Sequence, residues 1–346
     1  MDLDYLKILE DLVKIRTDNK LGVKKGFKYL SNLFNNLGIK NTIIEGCFVA
    51  YKEKNFDLIL NSHIDTVKVQ SNFNKDNNNF YGTGVIDAKG NVVLMIHAFL
   101  NSNNSLLVIS PDEEKESNGI YNFCKYLKNK NIKDVKCIVG EPTDLKVCIG
   151  NKGRFEYIVE SFGKAKHAST KGINPIEILS KVILDLKTLP LESIKVDKTY
   201  SSSITPTIIK GGIQSNIIPD YAYVLFDVRS VEKDIIKKIE KFLSQKDYST
   251  HIKGSLNPGR HYADFYMLEN KELINKLSKE FEISFFNATC EAFYFNKFLN
   301  ADTVIYGVGK LELAHSKEEH LNLNDFDRGI KGVEKLAELI TNSLGD

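Results

Sequence analysis

The chain is organised around residues 58–90, which read LILNSHIDTVKVQSNFNKDNNNFYGTGVIDAKG. Its apolar start predicts a short buried strand. The strand leads into His63 and Asp65, which strand alternation places on the same side. A glycine-bearing turn then leads to Asp87 and to an apolar segment with the character of a helix. A histidine and an aspartate therefore stand at the ends of core elements, where open α/β sheets place their ligands.

These side chains could bind a metal ion. An imidazole that binds a metal through one nitrogen usually donates its other N–H to a carboxylate, and Asp65 is placed to accept from His63. Taken alone, a histidine at a strand end is more often structural, and glycines can simply be turn residues. A phosphate-binding loop is not matched, because Lys89 is followed by Gly90.

The joint pattern, H-x-D-T-V followed by G-x-G-x-x-D-x-K-G, resembles the M20 family of two-metal amidohydrolases and peptidases. Within that family it is most similar to the group of acetylornithine deacetylase and succinyl-diaminopimelate desuccinylase. The resemblance implies a layered α/β catalytic domain of the zinc-hydrolase type. It also implies that an inserted α+β (ferredoxin-like) domain, which acts as a lid and in dimerisation, interrupts the catalytic domain.

Composition limits the class of protein. The chain has 346 residues, 42% hydrophobic and 27% charged, which allows a large core and more than one domain. Its net charge of +2 gives no reason to expect a nucleic-acid partner. No run approaches the ~18 apolar residues of a membrane helix, and the N-terminus lacks the apolar region of a signal peptide. With five cysteines and no C-x-x-C pair, we expect a cytoplasmic protein without a membrane partner. The family resemblance implies that it acts on a small molecule.

The order of predicted elements divides the chain. Strands alternate with helices over the first part, which predicts a layered α/β sheet. After Gly153 the order becomes β-α-β-β-α-β, with its last strand at 249–253, and this fits a separate α+β unit. We therefore predict that 153–261 is a unit inserted into a catalytic domain formed by 1–152 and 262–346. The resemblance implies that the inserted unit is the lid and dimerisation domain and that the other domain binds the metals.

Two adjacent glutamates, Glu113 and Glu114, follow the predicted strand 105–110 almost directly. Acids at a strand end are usually solvated turn residues. Metal-assisted hydrolysis, however, needs one carboxylate to bind the metal and a free one to take a proton from water. By resemblance to the family, Glu113 is the general base and Glu114 a ligand, while Glu141 binds the metal that Glu114 does not hold.

The last implied ligand is a histidine near the C-terminus. His315 stands in a family-like G-x-G…A-H-x-x-x-E arrangement and is preferred over His320, which is interpreted as the start of the final helix region or a neutral surface residue. The implied ligands are then His63, Asp87, Glu114, Glu141 and His315. Asp87 can bridge two ions with its two oxygens. Nitrogen and oxygen donors of this kind suit two Zn²⁺ ions, with Co²⁺ or Mn²⁺ as substitutes.

The middle unit carries further candidates. His167 fits a surface turn, but by resemblance it donates to the oxyanion of the reaction intermediate, often in the partner subunit of a homodimer. Asn216 and Arg229 resemble lid residues that recognise the amide and the carboxylate of the substrate. Arg229 suits a carboxylate because its planar fork makes two hydrogen bonds, although an ion pair with Asp227 is equally compatible. Lys152 is a further candidate for the same task.

Residues 287–292 read NATCEA, which is closer to the deacetylase-like Gly-Thr-Glu-Ala than to the desuccinylase-like Gly-Thr-Ser-Asp. We therefore expect hydrolysis of the amide of an N-acylated basic amino acid, such as N2-acetylornithine, in amino-acid biosynthesis. Alternatives are a succinyl-diaminopimelate desuccinylase, an enzyme that releases lysine or ornithine from an amino-group carrier protein, and a di- or aminopeptidase. A metal-binding scaffold is disfavoured, since it has no need of a free carboxylate such as Glu113 beside the ions.

Overall fold

The computed structural model describes residues 3–53 and 55–341, and the chain divides into two compact units. Unit 1 contains the chain up to Asn151, Tyr266–Phe286 and the chain from Cys290, and unit 2 contains Lys152–Phe265 and Asn287–Thr289. Unit 2 includes more residues than the predicted 153–261, because backbone hydrogen bonds connect the flanking residues to it. The amide of Lys152 donates to the carbonyl of Ala288, and that of Arg154 donates to the carbonyl of Ala263. Of the predicted catalytic domain, residues 1, 2, 54 and 342–346 lie outside the described residues. The roles of the two units remain predictions.

The helices and strands follow the chain in order. The first part of unit 1 contains α1 (Tyr5–Lys14), α2 (Lys20–Asn36), β1 (Lys40–Ile44), β2 (Cys47–Tyr51), β3 (Leu58–His63), β4 (Asn74–Lys75), β5 (Asn79–Tyr81), α3 (Gly90–Asn101), β6 (Ser105–Ser110), α4 (Asn118–Asn129), β7 (Lys136–Val139) and β8 (Val147–Asn151). Unit 2 contains β9 (Gly153–Phe162), β10 (Lys166–His167), α5 (Pro175–Leu186), β11 (Ser193–Lys195), β12 (Thr199–Ser201), β13 (Ser203–Gly211), β14 (Ile217–Ile218), β15 (Tyr221–Ser230), α6 (Ile235–Ser244) and β16 (Ile252–Leu256). Unit 1 then continues with β17 (Tyr266–Met267), α7 (Lys271–Leu277), β18 (Ile283–Phe286), α8 (Ala292–Leu299), β19 (Asp302–Ile305), β20 (His320–Asn322) and α9 (Leu323–Thr341).

The main sheet of unit 1 has nine strands in the order β1-β2-β6-β3-β7-β19-β8-β17, with β18 beside β8. β3 pairs in parallel with both β6 and β7, and all residues of β3 and β6 are buried, as expected of central strands covered on both faces. The carboxyl ends of parallel strands meet at one edge of the sheet, which is where such sheets bind ligands. His63, Glu113, Glu114 and Glu141 therefore lie at one edge.

Local sequence explains where the helices of unit 1 begin. Asp4 precedes α1, and its carboxylate accepts a hydrogen bond from the amide of Lys7 at 2.9 Å, which satisfies a donor that the first helical turn leaves free. The apolar segment after Asp87 that was predicted to be helical forms α3, which begins at Gly90. The residues before it, Val85–Lys89, form an irregular turn whose backbone leaves helical geometry at Asp87.

Unit 2 has the predicted β-α-β-β-α-β order, built on a four-stranded antiparallel sheet with the order β13-β15-β9-β16. Buried and half-exposed residues alternate along β9 and β15, so one face of the sheet is covered. Val159 and Val224 on that face join a core with Leu179 of α5 and Ile239 of α6. The strand predicted at 249–253 is wrong in position, because the chain first makes a short 3₁₀ turn and β16 begins only afterwards.

A small sheet of three strands, in the order β20-β5-β4, was not predicted. The asparagine-rich stretch before Gly82 has the composition of a polar loop, and the sequence places His320 at the start of the final helix region or on the surface. Instead, His320 opens β20 and lies opposite Tyr81 of β5 in an antiparallel pair. This pairing depends on a partner that is distant in sequence, so local patterns could not predict it.

None of the described helices is both long and apolar enough to cross a bilayer. All five cysteines are buried, and none of them forms a disulfide within the described part of the chain.

Candidate metal centre

His63, the last residue of β3, is buried and its ring is held in one orientation. Nδ1 donates to the backbone carbonyl of Asp65 at 2.9 Å, so Nε2 is directed at Asp87, whose Oδ1 lies 3.0 Å away. A proton on Nδ1 leaves the lone pair of Nε2 for a metal ion. The acceptor differs from the prediction, because the carboxylate of Asp65 is farther from Nδ1, at 3.5 Å.

The carboxylate of Asp65 instead holds the loop that follows β6. Its Oδ1 accepts the amide N–H of Glu113 at 3.0 Å, and its Oδ2 accepts that of Glu114 at 3.2 Å. Asp65 is completely buried, so these two amides satisfy a charge that would otherwise be costly to bury. One aspartate thus orients His63 through its carbonyl and both glutamates through its carboxylate.

Asp87 lies between the two candidate histidines. Its Oδ1 is 3.0 Å from Nε2 of His63, and its Oδ2 is 3.1 Å from Nε2 of His315. Burial disfavours the charged form, but hydrogen bonds with His315 and His63 outweigh burial and lower the pKa of Asp87. A carboxylate with one oxygen directed at each imidazole has the geometry needed to bridge two ions.

Glu114 and Glu141 complete two donor sets that share Asp87. Oε1 of Glu114 lies 2.6 Å from Nε2 of His315, beside one oxygen of Asp87. Oε1 of Glu141 lies 3.9 Å from Nε2 of His63, beside the other oxygen. Ligand atoms of His63, Asp87 and Glu114 also fall within 4.8 Å of one another. The structure therefore brings together all five residues that the sequence singled out as ligands.

The electrostatics of the cluster fit a cation. Burial raises the pKa of Glu141 well above its usual range, and burial also raises that of Glu114. Hydrogen bonds with Asp87 and Glu114 raise the pKa of His315 to about 10. Carboxylates this crowded need positive charge among them, and the mix of imidazole nitrogens and carboxylate oxygens is the donor set of zinc sites. The residues present thus fit divalent ions.

Glu113 lies beside this cluster, and its carboxylate makes no side-chain hydrogen bond within residues 3–53 and 55–341. Burial raises the pKa of Glu113 well above its usual range, with a smaller opposing effect from His63. A carboxyl group with an elevated pKa and a free oxygen can accept and return a proton near neutral pH.

Unit 2 places its four predicted residues in two pairs. His167 of β10 is exposed, bonds Oγ of Ser169 through Nδ1 at 2.8 Å, and lies near Asn216, whose carbonyl accepts the amide of Ala168 at 2.9 Å. This pair is connected to the start of β15.

Arg229 and Lys152 are found where β15 ends, beside the paired residues Ser230 and Gly153. Arg229 makes the ion pair that the sequence allowed: its Nε donates to Asp227 at 2.6 Å and its Nη2 at 3.3 Å. Burial lowers the pKa of Lys152, and the charge of Arg229 contributes. β15 is ten residues long and so spans roughly 30 Å. Unit 2 by itself therefore does not bring the two pairs together.

Sequence reasoning missed two buried charged groups near the cluster. Lys89 is buried and donates from Nζ to the carbonyl of Ile15 at 2.8 Å. Glu319 is also buried, and its carboxylate accepts backbone amides of the segment that carries Asp87. Lys89 belongs to the pattern D-x-K-G and Glu319 to the pattern H-x-x-x-E, but the patterns alone do not indicate the function of either residue.

The chain is similar to known proteins over most of its length. The family described as peptidase family M20/M25/M40 matches residues 59–339. An uncharacterised metallohydrolase of Methanocaldococcus jannaschii is 87% identical over 341 residues, which is 98% of this chain and 99% of that protein.

More distant relatives have named activities. An acetylornithine deacetylase of Buchnera aphidicola is 28% identical, over 92% of this chain and 93% of that protein. A LysW-lysine/LysW-ornithine hydrolase of Saccharolobus islandicus is also 28% identical, over 94% of this chain and 92% of that protein. Among solved structures, a metallo-carboxypeptidase of Sulfolobus solfataricus has a TM-score of 0.74 at 18% identity, covering 98% of this chain and 99% of that one. At that identity the structural likeness bears on the fold alone.

Proposed function

Because the chain belongs to peptidase family M20/M25/M40, and is therefore a metal-dependent amide hydrolase, we propose that it releases the acyl group from an N-acylated basic amino acid of the acetylornithine type. The observation that carries the proposal is the buried carboxylate of Asp87, with one oxygen directed at His63 and the other at His315. The free carboxylate of Glu113 stands beside it.

Two divalent ions are proposed, most readily Zn²⁺, with Co²⁺ or Mn²⁺ as substitutes. His63 and Glu141 would hold one ion, His315 and Glu114 the other, and Asp87 would contribute to both. When bound, such ions lower the pKa of water and polarise the carbonyl of the substrate.

Glu113 moves the protons. Its carboxylate takes a proton from the attacking water and returns it to the nitrogen of the leaving amine, so one group serves as base and then as acid. The amides held by Asp65 fix the backbone of Glu113, which keeps its side chain beside the cluster. His167 is proposed to donate to the oxyanion that forms as the carbonyl is attacked.

Recognition of the substrate is assigned to Asn216, Arg229 and Lys152. Asp227 occupies Nε and Nη2 of Arg229, which orients the guanidinium and leaves its remaining N–H groups available for a substrate carboxylate. The Thr289–Ala292 segment, closer to the deacetylase pattern, supports an acetylated substrate.

A carrier-linked substrate is the second candidate. The hydrolase from Saccharolobus islandicus, whose name gives LysW-lysine and LysW-ornithine as substrates, is as similar to this chain as the deacetylase, at 28% identity each. Desuccinylase and di- or aminopeptidase activities complete the alternatives, since the same chemistry cleaves each of these amides.

A substrate panel tests the proposal. Protein reconstituted with Zn²⁺ or Co²⁺ is assayed on N2-acetylornithine, N-acetyllysine, N-succinyl-diaminopimelate, dipeptides and a carrier-protein conjugate. We expect the highest kcat/KM on an acetylated basic amino acid and loss of turnover with a chelator. Preference for the conjugate by tenfold or more would replace the first candidate with the second, and no turnover on any amide would contradict both.

A further inference from the structure

Glu319 is a buried glutamate that is neither a proposed metal ligand nor the proposed general base. It is 1% exposed, and a single oxygen, Oε1, accepts three backbone N–H groups. The donors are the amides of Gly84 at 3.0 Å, Ile86 at 3.1 Å and Asp87 at 3.3 Å. All three belong to the segment that ends in the proposed bridging ligand.

The amides of Gly84, Ile86 and Asp87 donate to Glu319 and not to a helix or strand. The backbone hydrogen bonds of the segment come from other amides, such as that of Lys89, which donates to the carbonyl of Gly84 at 2.9 Å. Gly84 has a φ of +87°, in the left-handed region, and the backbone at Asp87 is extended within an irregular turn. Buried amides without a partner are costly, and here neighbouring helices and strands do not supply the acceptors. The carboxylate of Glu319 serves as the acceptor instead, and it thereby holds the backbone of Gly84–Asp87 in one conformation.

Glu319 is itself held in place on both sides. Its carbonyl accepts the amide of Gly82 at 3.2 Å, and the next residue, His320, pairs with Tyr81 in the small sheet. His315 lies four residues before Glu319 on the same loop. One short segment therefore carries a proposed ligand and also the side chain that holds the segment of Asp87.

We propose that Glu319 is a positioning residue, which keeps Asp87 and His315 in register for metal binding through backbone hydrogen bonds and not as a ligand. The inference rests on the proposed assignment of these two residues as ligands. Loss of such outer partners typically weakens metal affinity by about 10–100-fold, because the ligands are no longer held at the right separation.

Three substitutions test the role of the acceptor. Glu319→Met keeps the length of the side chain but removes the acceptor, Glu319→Gln keeps an acceptor without the charge, and Glu319→Asp keeps the charge but withdraws it by one methylene. Glu232→Met is the matched control, because Glu232 is a buried glutamate of unit 2 whose Oε1 also accepts a backbone amide, that of Glu192 at 3.1 Å.

The readout is the affinity of the full-length apoprotein for Co²⁺, from absorption titration in competition with a chelator, alongside thermal unfolding of the metal-free forms. We expect Glu319→Met to bind Co²⁺ about 10–100-fold more weakly and Glu319→Gln to stay within a few-fold of wild type. Glu232→Met is expected to bind as wild type does, even where its unfolding temperature falls.

The possible results distinguish failure of the positioning role of Glu319 from failure of the proposed metal site. If Glu319→Met binds Co²⁺ with wild-type affinity, the positioning role is overturned. It is also overturned if Glu319→Gln loses as much Co²⁺ affinity as Glu319→Met, because the charge of Glu319 and not its hydrogen bonds would then matter. If Glu319→Met does not fold, Glu319→Asp decides: an intermediate loss of affinity supports the inference, and no loss overturns it. Wild-type protein that binds no Co²⁺ would instead overturn the proposed ligands.

Discussion

Three carboxylates that lie close together in space, Asp65, Glu113 and Glu114, have different roles in this chain. Asp65 accepts backbone amides, Glu114 lies 2.6 Å from an imidazole nitrogen of His315, and Glu113 keeps a free oxygen. The difference arises from what each oxygen contacts, since the residue types are nearly the same. Substitutions of these residues should therefore separate metal binding from catalysis.

We predict that Glu113→Gln retains the ions but loses nearly all turnover. Glutamine has nearly the same shape but cannot accept a proton, and general-base catalysis contributes on the order of 10²–10⁴-fold. Metal content measured by elemental analysis, together with kcat, checks the prediction. If Glu113→Gln lost metal while Glu114→Gln kept it, the roles of the two glutamates would be reversed.

We further predict two ions per chain and loss of both in Asp87→Ala. One oxygen of Asp87 lies by His63 and the other by His315, so removal of this carboxylate takes a ligand from each donor set. Calorimetric titration of Zn²⁺ into the apoprotein measures the stoichiometry. A wild-type ratio of one ion per chain, or two ions retained by Asp87→Ala, would contradict the bridging role.

At the scale of elements, β13 is an unusual outer strand. It lies at one edge of the sheet of unit 2, is nine residues long, and is exposed along nearly all of its length. Ile208 and Ile209 on it are exposed, as is Leu184 of α5. Long exposed apolar edges readily pair with another chain. This edge is therefore our candidate for the dimer contact that the sequence predicted.

We predict that the protein is a dimer and that Ile209→Glu makes it monomeric, because a buried charge without a partner opposes association. The control is Ile43→Glu, since Ile43 is on an outer strand of unit 1 and is 52% exposed, against 54% for Ile209. Sedimentation equilibrium measures the masses. A monomeric wild type, or dissociation by Ile43→Glu alone, would rule out β13 as the contact.

At the scale of the whole molecule, the candidate substrate-binding residues of unit 2 lie too far apart to contact one small substrate within a single copy of the unit. His167 and Asn216 lie toward one end of β15, Arg229 and Lys152 toward the other, and β15 spans roughly 30 Å. A small acylated amino acid is shorter than that. If both pairs contact one substrate, one of them must come from a second copy of the chain.

We therefore predict that His167 acts at the site of the partner subunit. His167→Ala should lower kcat with unchanged metal content, by an amount equivalent to roughly 3–4 kcal/mol for one oxyanion donor. Mixing inactive His167→Ala and Glu113→Gln proteins under subunit exchange should restore activity, since each mixed dimer has one intact site. The two proteins mixed without exchange are the control. No recovery after verified exchange would place His167 at the site of its own chain.

Local sequence patterns predicted the division of the chain into α/β and α+β parts and, together with the family resemblance, the candidate metal ligands. The division depends on local information, since apolar runs mark the strands. His63 ends one strand, and Glu114 and Glu141 follow two others, whose carboxyl ends meet at the same edge of the sheet. Family resemblance supplied the proposed ligand roles of Glu141 and His315 and the separate tasks of the two glutamates.

The groups that hold the candidate ligands in place were visible only in the folded structure. Asp65 satisfies backbone amides instead of the imidazole of His63, and Glu319 accepts three amides of the segment leading to Asp87. Such partners are backbone atoms of residues that lie far away in sequence, and every residue type offers the same N–H. A residue pattern cannot identify them, because their position depends on how the loops meet after the sheet has formed.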